Sequence, residues 1–102
     1  MSEPSPFAVI FARRAADQVT EAVAWWRGHR EAAPELLARQ IEEAIDLLGD
    51  VPEAGRRVIS RRFRGVRRLT LSAGYLLFYQ VNRESREVRV VAFRHGRQKP
   101  LP

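Results

Sequence analysis

The sequence predicts an α+β domain: an N-terminal strand, an α-helical hairpin, then three mostly antiparallel strands, with both helices packed on one face of the sheet. Three observations carry this. Gly65 to Val81, GVRRLTLSAGYLLFYQV, holds two runs of β-branched, aromatic and aliphatic residues around the small pair Ala73-Gly74, the pattern of a tight hairpin. Upstream, two stretches repeat apolar residues at helical spacing, and a short apolar run precedes both. In the second hairpin strand Tyr75, Leu77, Tyr79 and Val81 fall on one side and Leu76 and Phe78 on the other. Neither side is fully polar, so this strand is expected at the centre of the sheet.

Residues 1–6 read as a tail closed by Pro4 and Pro6, residues 7–99 as a single domain and residues 100–102 as a second tail. Phe7 to Phe11, FAVIF, suits a short strand buried on both faces and paired with the later hairpin. From Ala12 the period changes: Ala15, Ala16, Val19, Ala22, Val23 and Trp26 form the stripe of an amphipathic helix to about Arg27, with Gly28 near its end. Pro34 sits where a second helix makes its first turn, and Glu35 suits the positive end of the helix dipole. Leu37, Ile41, Ala44, Ile45 and Leu48 continue that helix until Gly49 and Pro52 stop it. Helices joined so closely form an antiparallel hairpin, and their stripes cover one sheet face. The connection EAGRRVISRRFRG receives no element. After the central hairpin, Asn82 to Arg86 is a turn and Val88 to Phe93 a further strand, before His95-Gly96-Arg97.

At 102 residues the chain suits one domain that buries roughly two-thirds of its unfolded surface. It has no cysteine, so disulfides and cysteine-ligated metals are excluded, which fits a reducing compartment. Met1 to Pro6 has neither a basic start nor an apolar core, and no apolar run reaches the roughly 18 residues of a membrane span. A cytoplasmic protein without membrane contact is the expectation. The net charge of +6 is segregated: residues 1–55 carry 5 basic and 10 acidic side chains, residues 56–102 carry 13 and 2. The basic half should face nucleic acid, an acidic protein segment or the chain's own acidic half, and charge does not choose among them.

Familiar chemistry is mostly absent. His29 and His95 are the only histidines, so metal-ligand spacing is missing; no glycine cluster forms a phosphate loop, and no serine lies in a nucleophile elbow. No metal or cofactor is expected. Glu42, Glu43 and Asp46 fall off the apolar stripe, as a solvated face does. Two constellations survive. One is the arginine group Arg61, Arg62, Arg64, Arg67 and Arg68, with Arg94 and Arg97 if the last strand returns beside it; guanidiniums on one sheet edge grip phosphates or carboxylates bidentately, although a solvated basic loop has the same composition. The other is His95, either a general acid or base or a hydrogen-bonded structural histidine.

The order of elements, the PEAGR turn after the second helix, the VRRL start of the hairpin, GYLLFYQV and the terminal RHGRQ resemble the RelE/ParE superfamily of bacterial type II toxins, from Phe7 to about Lys99. The resemblance implies a small cytoplasmic toxin neutralised by an antitoxin, whose C-terminal segment wraps the toxin and whose N-terminal part binds operator DNA. The RelE-like branch cleaves messenger RNA on the ribosome with basic residues on the hairpin strands, a terminal arginine or histidine and often a C-terminal tyrosine. Its pattern, K-x-K then G-Y-R-L-V-Y-Q-V, places Arg67 and Leu69 at the two lysines and Leu76 at the arginine. Arg97 matches the terminal cation, and no tyrosine follows Tyr79. Leucine neither stabilises a phosphorane nor moves a proton.

The resemblance therefore points to the ParE-like branch, which binds DNA gyrase and stalls it with cleaved DNA and has no hydrolytic site. On that reading Arg67, Arg94, His95 and Arg97 contact the target; on the alternative, a ribosome-dependent endoribonuclease, the same four do the chemistry. A degenerate toxin that only binds partners is the third possibility, and direct nucleic-acid binding is a secondary one. Trp25, about 100° round the first helix from Trp26, either completes the monomer core with Trp26 or, together with Arg61, Arg62 and Arg64, meets the antitoxin, whose neutralising segment should be acidic.

Overall fold

The computed structural model describes residues 6–98 and 101, so the tails expected at 1–6 and 100–102 lie mostly outside the described residues. The elements run β1 (Ala8–Phe11), α1 (Arg13–His29), α2 (Leu36–Asp50), β2 (Arg56–Arg57), β3 (Arg67–Thr70), β4 (Tyr75–Asn82) and β5 (Glu87–His95). They form one sheet in the order β1-β5-β4-β3-β2, with β1 parallel to β5 and every other pair antiparallel. β4 is the middle strand, as its two apolar sides require.

Five expectations are corrected: the partner of β1, its burial, the connection after α2, and the places of Pro34 and Gly49. β1 pairs with β5 rather than with the hairpin, because two long helices separate it from the later strands and a parallel return needs such a crossover. It is also an edge strand buried on one side only: Val9 and Phe11 pack on the core while Ile10 is exposed. The connection after α2 adds the two-residue strand β2, in register with β3 through Arg56↔Arg68 and Arg57↔Arg67. Pro34 lies in the turn before α2, and Gly49 stays helical and buried, its carbonyl accepting from the Phe7 amide.

Both helices cover the same sheet face. Their buried residues, Ala15 and Trp26 from α1 and Leu37, Ile41, Ala44 and Leu48 from α2, meet Leu77, Tyr79, Val88, Val90 and Phe93 in the main core. A polar side chain from each helix is spent on the sheet: Gln18 Oε1 accepts from the Phe93 amide at 2.9 Å and Gln40 Oε1 from the Ala73 amide at 2.9 Å. Between the helices, Trp26 Nε1 donates to Ala33 O at 2.9 Å, and Arg27 forms a two-point pair with Glu35 that holds this carboxyl below the usual range. That pair is solvent-exposed and adds little stability.

The opposite face carries a second, smaller cluster of Val66, Phe78, Val91 and Ala92, against which Val58, Phe63, Leu76 and Leu101 pack. A bulge makes this possible. Phe78 pairs with Ala92 and Tyr79 with Val90, so Val91 has no opposite residue and turns outward with Ala92. Beyond the bulge Phe93 returns to the helix side.

The connection between α2 and β2 is held by one hydroxyl. Tyr79, fully buried, donates through its hydroxyl to Pro52 O at 2.7 Å and accepts the Gly55 amide at 2.8 Å, and Arg67 Nη1 donates to Gly55 O at 2.8 Å. Burial pushes the Tyr79 phenol above its ordinary value near 10. A Cβ on Gly55 would stand 2.7 Å from Arg68 O and 2.8 Å from the Tyr79 hydroxyl, so only glycine fits this close approach. At the hairpin, Gly74 supplies the left-handed conformation (φ +96°) that closes the Ser72–Gly74 loop.

Tyr79→Phe leaves the Pro52 carbonyl and the Gly55 amide without their partner and should cost about 2–3 kcal/mol in urea denaturation at pH 7. The raised phenol pKa contributes stability that is complete below the unfolded value and lost as pH rises past 10, so the phenylalanine variant should show a shallower alkaline decline than the parent protein. Gly55→Ala should cost about 2–3 kcal/mol by overpacking, measured in the same way.

Candidate functional site

The sheet face opposite the helices and its C-terminal margin gather most of the chain's candidate chemistry. The loop joining β2 to β3 folds over this face. Val58 N donates to Val66 O at 3.1 Å, and Ser60 Oγ accepts the amides of Arg62 and Phe63 at 3.2 and 3.1 Å, an arrangement that fixes the loop backbone locally. Val58 and Phe63 point inward, whereas Arg61, Arg62 and Arg64 are exposed and Ile59 is 99% exposed. The Arg62 guanidinium sits 5.2 Å over the Phe63 ring. Together the loop residues enclose an open bowl of about 690 Å³.

Beside the loop lies a more enclosed cavity of about 290 Å³. Its polar wall is Arg68, Arg94, His95 and Gln98, and its apolar wall includes Val58, Leu76, Phe78 and Leu101. Strand register explains the grouping. Arg68 pairs with Phe78, Thr70 with Leu76 and Leu76 with Arg94, so these residues share the open face. Arg68 Nε is buried and has no hydrogen-bond partner among the described residues.

Arg67 lies one residue away and faces the other side. It pairs with Tyr79, and its guanidinium donates to the carbonyls of Gly55 at 2.8 Å and Glu53 at 3.4 Å. Of the four residues grouped by sequence, Arg94 and His95 line this cavity, His95 and Arg97 line a neighbouring cleft, and Arg67 joins neither. Arg68 takes its place. The two-residue period carries this signal: cross-strand neighbours of Leu76 and Phe78 must be at even positions of β3, which are Arg68 and Thr70. Leu69 turns inward against the main core.

His95, the last residue of β5, belongs to the helix side of the sheet. Its ring meets the edge of Tyr75 at 5.2 Å and 87°. Its Nδ1 accepts the Arg97 amide at 3.2 Å, which fixes the neutral ring as a donor at Nε2, and its own amide donates to Gln98 Oε1 at 2.7 Å. Tyr75 stacks on Phe93 and meets Trp26 edge-on. The chain's two tyrosines, Tyr75 and Tyr79, are both buried on the helix-covered side.

Trp25 and Trp26 divide as the helical wheel requires: Trp26 is 8% exposed and Trp25 45%. His29 stacks on Trp25 with centroids 4.3 Å apart and its Nδ1–H donates to Trp25 O, while Arg30 lies 5.2 Å over the same indole. A shallow cleft joins Trp25 and Arg30 to Tyr75, His95 and Arg97. Thus Trp25 adjoins the C-terminal group, while Arg61, Arg62 and Arg64 lie on the loop over the open face. Among the described residues no group of three or more His, Asp or Glu side chains gathers as a metal site.

Known structures share this fold. In solved structures, a chain of the chromosomal ParDE TA system from P. aeruginosa superimposes with a TM-score of 0.67 at 20% identity, covering 89% of this chain and 97% of that one. A chain of the toxin-antitoxin complex RelBE2 from Mycobacterium tuberculosis gives 0.66 at 20% identity, covering 93% and 97%. The isolated E. coli RelE toxin gives 0.54 at 23% identity, covering 91% and 87%. At such identities these likenesses speak to the fold. A search of curated proteins by sequence found no match. The profile of the family described as "ParE toxin of type II toxin-antitoxin system, parDE" matches residues 9–100. The chain, spanned almost entirely by that match, belongs to the ParE toxin family of type II toxin-antitoxin systems.

Proposed function

We propose that this toxin arrests growth by binding DNA gyrase and stalling it with cleaved DNA, and that a cognate antitoxin neutralises it. The observation that carries this reading is the composition of the open face. Cleaving RNA without a metal requires a base for the 2′-hydroxyl, an acid for the departing oxygen and cations for the phosphorane. Arg68 and Arg94 supply cations, but Leu76 stands between them and both tyrosines lie behind the sheet. His95 spends its Nδ1 lone pair on the Arg97 amide, so its neutral ring offers no acceptor to a substrate proton. Such a surface binds anions more readily than it moves protons.

The C-terminal group Arg94, His95 and Arg97 is the target contact on this reading, with Arg68 beside it. The antitoxin is a protein whose acidic segment meets the exposed arginines of the loop and whose apolar side chain covers Trp25; its other part binds operator DNA. Opposite charge gives such a complex speed and selectivity.

The test is a paired assay of antitoxin-free protein. Gyrase supercoiling should be inhibited with accumulation of cleaved complexes, while messenger RNA in a translating extract stays intact. Arg97→Glu should raise the concentration needed for half-inhibition by about tenfold. Codon-dependent RNA cleavage with unimpaired supercoiling would replace the gyrase reading by an endoribonuclease built from Arg68, Arg94, His95 and Arg97. Absence of both activities with tight antitoxin binding would identify a toxin reduced to a binding module.

For the antitoxin, Trp25→Ala should weaken binding by about tenfold or more in calorimetry with little change in melting temperature, because Trp25 is half-exposed. Affinity should fall steeply between 50 and 300 mM salt, about one Debye-screened contact at a time. A tryptophan variant no weaker than one at a distant surface position would remove Trp25 from the interface.

A further inference from the structure

We infer that the sheet face opposite the helices is a docking surface for the phosphate backbone of duplex DNA, gripped mainly by the loop between β2 and β3. The inference takes from the gyrase reading only the polymer that the target would present; the surface itself is read from charge and shape.

The fold sorts charge by layer. Exposed carboxylates Asp17, Glu21, Glu42, Glu43, Asp46 and Asp50 lie on the two helices. From Ala54 to Arg83 the chain has no carboxylate, and the strands contain one, Glu87. Among the described residues the acidic half neutralises the basic half at one ion pair, Arg83–Glu53. The ion pairs among the described residues are Arg27–Glu35 and Arg83–Glu53, and neither uses Arg56, Arg57, Arg61, Arg62, Arg64 or Arg89. These guanidiniums all remain available to an external anion.

Their placement suits an extended polyanion. The bowl framed by Arg57, Arg61 and Arg64 adjoins a second concavity of about 460 Å³ that is lined by Arg64, Gln80 and Arg89 and also by Glu84 and Glu87. Arg64 belongs to both, so the basic surface is centred on the loop and extends over β4 toward Arg89, with Glu84 and Glu87 at its border. The molecule is a flat body of 42 × 42 × 22 Å, broad enough for this face to meet successive phosphates of a duplex that carries one charge per ~1.7 Å. The loop backbone is pinned by Ser60 Oγ and by the packing of Val58 and Phe63, which lowers the ordering cost of phosphate binding. Ile59, 99% exposed at the loop, supplies an apolar contact between flanking cations, as minor-groove proteins use. The antitoxin's acidic segment would meet the same arginines, so this face is open to a duplex in the antitoxin-free toxin.

The experiment measures binding of antitoxin-free protein to a fluorescent 25-base-pair duplex of arbitrary sequence by anisotropy, without gyrase, between 50 and 200 mM salt. Arg61→Gln/Arg62→Gln/Arg64→Gln should lower the slope of log affinity against log salt by about 3, roughly one unit per lost phosphate contact. The lysine triple variant should restore it. Arg14→Gln/Arg39→Gln, on the helices, should leave it unchanged, and thermal melts verify that each variant is folded. A loop-variant slope within one unit of the parent, or an equal loss in the helix variant, would overturn the proposal. So would a parent-protein slope shallower than about 2, too small for three phosphate contacts. Because gyrase is absent, the outcomes separate: gyrase poisoning without duplex binding sinks this inference alone, whereas RNA cleavage with loop-dependent duplex binding sinks the gyrase reading alone.

Discussion

The Tyr79 hydroxyl is the interaction on which the rest of the arrangement depends. Tyr79 sits mid-strand in the middle strand of the sheet, where a phenol without partners would be costly. Pro52 and Gly55 come from the segment that leaves α2, and by satisfying this phenol they bring that segment onto the sheet edge. Only then can Arg56 and Arg57 pair with β3, and only then does the following loop start over the open face. A buried polar contact on the helix side thus decides where the arginines on the opposite side are carried. Arg67 completes the knot by donating to Gly55 O, which explains why one member of the arginine run is spent inside the fold while its neighbours face solvent.

Much of this was legible in the sequence because periodicity and punctuation agree there. The helical stripes ending at Trp26 and Leu48, the Ala73-Gly74 turn and the two-sided β4 are each found where the residues put them. Three features were not legible, for physical reasons. β1 has five apolar residues in its neighbourhood, and composition alone does not tell an edge strand from a central one; its partner depends on a crossover longer than any local pattern. β2 is two arginines with no strand propensity of note, held by Tyr79 and β3 from outside. The direction of the β3 arginines is the third, since a motif match fixes spacing but not parity: Arg67 and Arg68 are neighbours in sequence and opposite in direction.

The break in alternation at Val90-Val91 has the farthest reach. Without the bulge, Val88, Val90 and Ala92 would share the helix side with Arg94, and a guanidinium would face the aromatic core; the extra residue reverses every side chain after it. Phe93 is thereby placed to stack on Tyr75, Arg94 reaches the cavity beside Arg68, and His95 meets the Tyr75 edge. The Phe93 amide, beyond the last residue that β1 pairs, is satisfied by Gln18 from α1, so the first helix is tied to β5 just past the bulge.

The same parity accounts for the character of the open face. Once the bulge sends Val91 and Ala92 outward, that face needs an apolar cover, and the loop from β2 to β3 supplies Val58 and Phe63 for it. A segment whose inward residues are committed to burial presents its remaining positions to solvent, and here those are Arg61, Arg62 and Arg64. The loop's arginines are therefore displayed by a hydrophobic contact beneath them rather than by any carboxylate beside them. Salt can weaken what those arginines bind without loosening the loop that carries them.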